Sequence, residues 1–164
     1  NRTFKGCLYF GLLLTPKGPK VIEYNCRFGD PETQVVLPLL KTDLFTVMQA
    51  VSQGRLGEIE VEFSKGCACC VVIASKGYPV SYQSGYEMVL PETEEGEYIL
   101  VAGAKREGDK LLSAGGRVLG VTATADTLQE AIGRAYALAK QVKFENGFMR
   151  GDIVRRALQA YEKK

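Results

Sequence analysis

With 164 residues, 46% of them hydrophobic and 24% charged, the chain is long enough to bury a core as one domain or as two small lobes. Lysine and arginine exceed aspartate and glutamate by only 21 − 19 = 2, so no strongly basic surface points to nucleic acid or to an anionic membrane. Histidine is absent, which removes the usual general base and the commonest transition-metal ligand and leaves catalysis to carboxylates, arginines, lysines or a hard metal ion.

No apolar run approaches the roughly 20 residues of a membrane span, and the N-terminus lacks the regions of a signal peptide. The chain therefore reads as soluble and cytoplasmic. It begins at Asn1 in strand-like sequence, which reads as a piece of a longer polypeptide. Its five cysteines, Cys7, Cys26, Cys67, Cys69 and Cys70, all lie in apolar strand-like runs, as buried reduced thiols do. Cys-x-Cys-Cys has no second pair at ligand spacing, so a zinc site is not expected.

In chain order, residues 4–14 form an apolar run with two interior glycines, and 15–20 carry two prolines and Gly18 as a turn signal. With 21–28 they make a β-hairpin. Read with a period of two, 21–28 places Glu23, Asn25 and Arg27 on one face and Ile22, Tyr24, Cys26 and Phe28 on the other. A carboxylate, an amide oxygen and a guanidinium in a row fit a cation and a phosphate. Such a strand also arises as an ordinary amphipathic strand with a solvated face. Asp30-Pro31 has the form of a helix N-cap followed by proline at the first helical position, opening a helix that Pro38 ends or kinks.

A second helix is marked by Asp43 as its cap, by Leu44, Val47, Met48 and Val51 at helical spacing, and by Gly54 at its close. Its Phe45 and Met48 are expected in a core. Residues 54–65 are polar and mixed, a candidate boundary between lobes. The run 67–75 is continuously apolar, like a strand buried on both faces. Strands are expected around 98–104, 110–112 and 118–123, with Gly108-Asp109 as a hairpin turn. Thr127 and Glu130 form a capping box ahead of a helix that buries Leu128, Ala131, Ile132, Ala135, Leu138, Ala139 and Val142. A last helix from Asp152 turns Ile153, Ala157 and Tyr161 inward. No Walker motif and no dinucleotide fingerprint is present.

The stretch Val-Ile-Glu-Tyr-Asn-Cys-Arg-Phe-Gly-Asp-Pro-Glu at 21–32 resembles the signature near the end of the ATP-grasp domain of the glycinamide ribonucleotide synthetases, also called phosphoribosylamine glycine ligases. The likeness continues through 5–12, 37–44, 74–79, 115–123 and 150–153, and so covers essentially the whole chain. It implies an α+β fold: the end of an ATP-grasp domain over 1–58, built of antiparallel strands plus helices, and a small C-terminal β-rich domain with packed helices over 59–164. The implied activity is ATP-dependent joining of glycine to 5-phosphoribosylamine through a glycyl phosphate, in purine biosynthesis.

On the matching positions, the resemblance makes Glu23 and Asn25 ligands of magnesium or manganese that bridges the ATP phosphates. It makes Arg27 the catalytic group that neutralises the transferring phosphoryl, and Gly29, Asp30 and Pro31, with Arg27, the substrate-binding loop. The missing N-terminal part of the same enzyme would be the other partner, and the fragment alone would be inactive. Arg117, Arg150 and Asp152 match the family and read as ion pairs and caps. Two positions depart from its pattern: Ala104, where a threonine is frequent, and Val154, where a glycine is frequent. Another ATP-grasp carboxylate-amine ligase or a carboxylase, or a non-catalytic module that kept the scaffold, remain as alternatives.

Overall fold

The computed structural model describes residues 2–161, with only the backbone of Tyr161. Its antiparallel sheets and helices make an α+β fold, as expected. The chain divides into two compact units, Asn1–Ser64 and Lys65–Lys164.

In the first unit, β1 (Tyr9–Thr15) and β2 (Gly18–Asn25) pair as an antiparallel hairpin. Gly18 adopts φ +89° at the turn, a conformation open to glycine and strained for side chains. Leu12 pairs with Val21 but Gly11 pairs with Glu23, so Ile22 is one residue too many and forms a bulge. The strand stops at Asn25, which lies opposite the first residue of β1. Cys26 and Arg27 find no partner there and bend away, so the expected polar face of three residues is shortened to Glu23 and Asn25. Cys26, expected to be buried, is exposed.

The Asp30–Pro31 peptide is cis, and the short helix α1 (Thr33–Val36) has Glu32, not Asp30, at its N-cap position. The backbone N–H and the hydroxyl of Thr33 both donate to the Gly29 carbonyl, closing the turn from within. A 3-10 turn, Leu37–Leu39, follows with Pro38 inside it. Helix α2 (Leu44–Gln53) has the expected ends. The Asp43 carboxylate accepts from the Thr46 N–H at 2.8 Å, and Gly54 closes the helix at φ +74°. Phe45 and Met48 do not enter a core; they are 71% and 55% exposed, because none of the described residues covers them.

The second unit builds two four-stranded antiparallel sheets. Its strands are β3 (Cys67–Ser75), β4 (Glu87–Val89), β5 (Glu97–Val101), β6 (Ala104–Glu107), β7 (Lys110–Ser113) and β8 (Arg117–Ala125). The order is β10-β3-β8-β5 in one sheet and β6-β7-β4-β9 in the other, where β9 is Lys143–Phe144 and β10 is Gly147–Phe148. Helix α3 (Leu128–Gln141) carries the expected capping box: Thr127 accepts from the Glu130 N–H and Glu130 accepts from the Thr127 N–H. Its Ala131, Ala135, Leu138 and Ala139 are buried with Val71, Leu119, Val121 and Ala123 of β3 and β8 in one core. The row of alanines lets the helix backbone approach the sheet closely.

Helix α4 (Arg155–Tyr161) ends the described chain. Ile153 packs against the core as expected, whereas Ala157 is exposed; the side chain of Tyr161 lies outside the described residues. Among the described residues no helix is long and apolar enough to cross a membrane.

Candidate functional site

The expected metal ligands lie together on the hairpin of the first unit. Glu23 and Asn25 are two residues apart on the regular part of β2, so their side chains share a face. Asn25 Nδ2 donates to Glu23 Oε1 at 3.1 Å, which holds the two side chains together. The hydrogen bond leaves Glu23 Oε2 and Asn25 Oδ1 as oxygen donors of the kind a hard divalent cation takes. Among the described residues no group of three or more His, Cys, Asp or Glu could hold a metal. Two oxygen donors from the protein fit a hard divalent cation that takes the rest of its shell from elsewhere.

The opposite strand is shaped to this pair. Gly11 lies across from Glu23, and a Cβ there would stand 2.9 Å from Glu23 Cγ, so the absent side chain gives the carboxylate stem its place. Tyr9 lies across from Asn25 and so shares the face of Glu23 and Asn25. Its hydroxyl donates to Glu32 Oε1 at 2.9 Å. That hydrogen bond is the first cause that raises the Tyr9 pKa above its ordinary value; desolvation and the charges of Glu32 and Glu23 add to it.

Arg27 is placed differently from the strand expectation. Its Nη1 donates to the carbonyl of Phe28 at 2.6 Å, and the side chain lines a mostly apolar cavity of about 480 Å³ with Lys5, Cys7, Phe28 and the α2 residues Leu44 and Val47. Arg27 makes no contact with Glu23 or Asn25 among the described hydrogen bonds and ion pairs. Gly29 is buried, and a Cβ there would run into Glu32 Oε2, so a side chain at 29 would have to displace that carboxylate. Asp30 Oδ1 accepts from Gln34 Nε2 at 2.9 Å, and the Pro31 carbonyl accepts from the Gln34 N–H at 3.2 Å.

In the second unit, Ser75 binds across to the 115–116 turn. Its hydroxyl donates to the Gly115 carbonyl at 2.9 Å and its N–H to the Gly116 carbonyl at 2.8 Å, and the Tyr78 ring occupies the space a side chain at Gly116 would need. The segments 74–79 and 115–119 are thus a packing device that needs glycine for close approach. Arg150 forms a bidentate pair with Asp152, Nε to Oδ1 at 2.8 Å and Nη2 to Oδ2 at 2.7 Å, as expected of intramolecular partners. Val154 has φ +65°, a left-handed conformation that a β-branched residue rarely adopts. The position where this chain departs from the glycine pattern is one where the backbone favours glycine.

Tyr9, Gly11 and Glu32 are the site residues that the sequence pattern did not single out. Their link to Glu23 and Asn25 depends on register. Extending the Thr15–Gly18 turn without a bulge would put Tyr9 across from Tyr24, on the other face; the extra residue Ile22 brings it opposite Asn25.

Two family descriptions match the chain. "Phosphoribosylglycinamide synthetase, C domain" matches residues 68–156, and "Phosphoribosylglycinamide synthetase, ATP-grasp (A) domain" matches residues 1–33. A phosphoribosylamine–glycine ligase of Chlorobaculum tepidum is 45% identical over 94% of this chain and 37% of its own length. The crystal structure of the phosphoribosylamine–glycine ligase of Thermotoga maritima superposes with a TM-score of 0.76 and 40% identity, covering 89% of this chain and 36% of that one. A single-chain, multi-domain long-chain acyl-CoA carboxylase shares the fold at a TM-score of 0.59 and 17% identity. The chain spans little more than a third of the length of the ligases it matches.

Proposed function

The chain belongs to the phosphoribosylglycinamide synthetase family, and from that premise we propose that it carries the metal- and phosphate-binding strand of an ATP-dependent ligase that joins glycine to 5-phosphoribosylamine. In this reading residues 1–58 close the ATP-grasp domain, 59–164 are the C-terminal domain, and the rest of the nucleotide cleft comes from the remainder of the enzyme. The observation that carries it is the hydrogen-bonded pair Glu23 and Asn25 on one strand face, inside the segment that matches the ATP-grasp description.

The reaction requires the glycine carboxylate to take the γ-phosphoryl of ATP, with ADP leaving. The amine of the ribosylamine then forms the C–N bond to the acyl carbon, and phosphate departs with its C–O bond electrons. Neither step needs a protein nucleophile or histidine; both need positioning and cancellation of negative charge. Glu23 and Asn25 would hold magnesium or manganese, which when bound supplies positive charge to the phosphates.

Arg27 is the catalytic cation. Its guanidinium spends one N–H on Phe28 and keeps further donors for an oxyanion. Gly29, Asp30 and Pro31 form the substrate side of the site, where the hydrogen bonds from Thr33 and Gln34 hold the turn.

The test is a substrate panel on the full-length enzyme. ADP and phosphate release that requires both glycine and phosphoribosylamine supports the proposal. Release that follows bicarbonate, or another amino acid in place of glycine, overturns it in favour of a carboxylase or a different ligase.

A further inference from the structure

Besides Glu23 and Asp30, the site holds a third carboxylate, Glu32, that the reaction scheme above leaves without a task. Glu32 does not come from the strand; it reaches the polar face from the loop after it. Three observations fix it there. Tyr9 stands across from Asn25, on the face that carries Glu23 and Asn25. The Tyr9 hydroxyl donates to Glu32 Oε1 at 2.9 Å. The other side of the carboxyl lies against Gly29, where a Cβ would be 3.0 Å from Glu32 Cδ.

Among the described residues no lysine or arginine forms an ion pair with Glu32. A half-buried carboxylate held in one orientation, with no protein cation on it, has room for a charge-assisted hydrogen bond from a cation outside the chain.

Two external cations could meet it, a metal ion or an ammonium. The metal pair is already complete in kind, an acid and an amide held to each other. Glu32 is held instead by a hydroxyl and bends back over a buried glycine. The acid to be phosphorylated must bring its carboxylate up to the phosphates that Glu23 and Asn25 serve. In an α-amino acid the ammonium lies one carbon away from that carboxylate, so its counter-charge must stand beside the metal pair, on the same face.

We infer that Glu32 receives the ammonium group of the amino-acid substrate and that Tyr9 is the positioning residue that aims it. This rests on the ligase reading above. Glu32 then selects an α-amino acid over a plain carboxylic acid of the same size, because the latter would leave the carboxylate facing no positive charge.

The experiment measures initial rates of ADP release by the full-length enzyme, varying glycine at saturating MgATP and phosphoribosylamine, and then varying MgATP at saturating glycine. Glu32→Gln keeps the size and can still accept from Tyr9. It is expected to raise the KM for glycine roughly 10- to 100-fold, the worth of a charge-assisted hydrogen bond, with the KM for MgATP within about twofold of normal. Tyr9→Phe removes only the clamp and is expected to raise the same KM by about 3- to 10-fold, and Glu32→Asp to fall between normal and Glu32→Gln.

An unchanged glycine KM in Glu32→Gln overturns the inference, and so does a MgATP KM that rises in step, which would put Glu32 on the metal. If Glu32→Gln does not fold, Tyr9→Phe decides by the same two constants. An unaltered enzyme that releases ADP without glycine would remove the ligase reading itself, a result separate from any of these.

Discussion

The two units of the chain differ in where their apolar side chains go. In the second, Val71, Leu119, Val121 and Leu138 are sealed between a sheet and a capped helix, each at most 1% exposed. In the first, Ala50 is the one buried apolar side chain among the described residues, while Leu14, Ile22, Tyr24 and Phe45 are 83%, 66%, 60% and 71% exposed. The unit that carries the proposed site is held by a turn, a bulge and caps; the unit that carries the core holds no residue of that site. The buried core and the proposed site therefore lie in different units.

The sharpest way to break this comparison is to make the same deletion in both units. Leu138→Ala empties a site that is 1% exposed and is expected to cost about 2–5 kcal/mol by urea unfolding of the second unit.

Next in size is Val154. Its φ of +65° costs a β-branched residue energy that glycine does not pay, so Val154→Gly is expected to stabilise the second unit by about 1 kcal/mol net of glycine's chain entropy. A lower melting temperature in Val154→Gly would show that the strain is not there.

A smaller effect probes the first unit through its cap. The N–H of Thr46, and then its hydroxyl, hold the Asp43 carboxyl below the usual carboxylate range. A lowered folded-state pKa means that the stabilising contribution is fully present above the unfolded value of about 3.9 and is lost as the pH falls through the folded value. Asp43→Ser keeps a cap that does not titrate, so the loss of α2 helicity on acidification below about pH 4 should be shallower in that variant. Asp152, lowered chiefly by its hydrogen bond from Arg150, gives the second unit a dependence of the same sign. The smallest effect closes the comparison: Leu14→Ala, at a side chain already 83% exposed, is expected to move unfolding by no more than about 0.5 kcal/mol.

The same contrast marks what the sequence could tell. Elements specified by local chemistry were legible: the Thr127–Glu130 capping box, the Asp43 cap with Gly54, the Gly108-Asp109 turn and the apolar run of β3. Glu23 and Asn25 were legible as neighbours on one face because two residues on a strand need only the pleat. Arg27 was not, because where β2 ends depends on where β1 begins to pair, a non-local fact. The exposure of Phe45 and Met48 was not legible, because helical spacing shows which side chains share a face and not whether anything covers that face. Tyr9 and Glu32 were hidden for a third reason, since a single bulge at Ile22 decides which face Tyr9 occupies and no local signal announces it. Val154 was visible only as a departure from a family pattern; the backbone angle gave that departure a physical cost.

The proposed role of Glu23, held by Asn25 and given room by Gly11, is to serve the phosphates. It is tested most directly by Glu23→Ala in the full-length enzyme, with glycine-dependent ADP release read at saturating substrates. Loss of one phosphate-bridging ligand should lower turnover by about a hundredfold or more, with the fold of the second unit unchanged by circular dichroism. Turnover close to that of the unaltered enzyme would contradict the assignment.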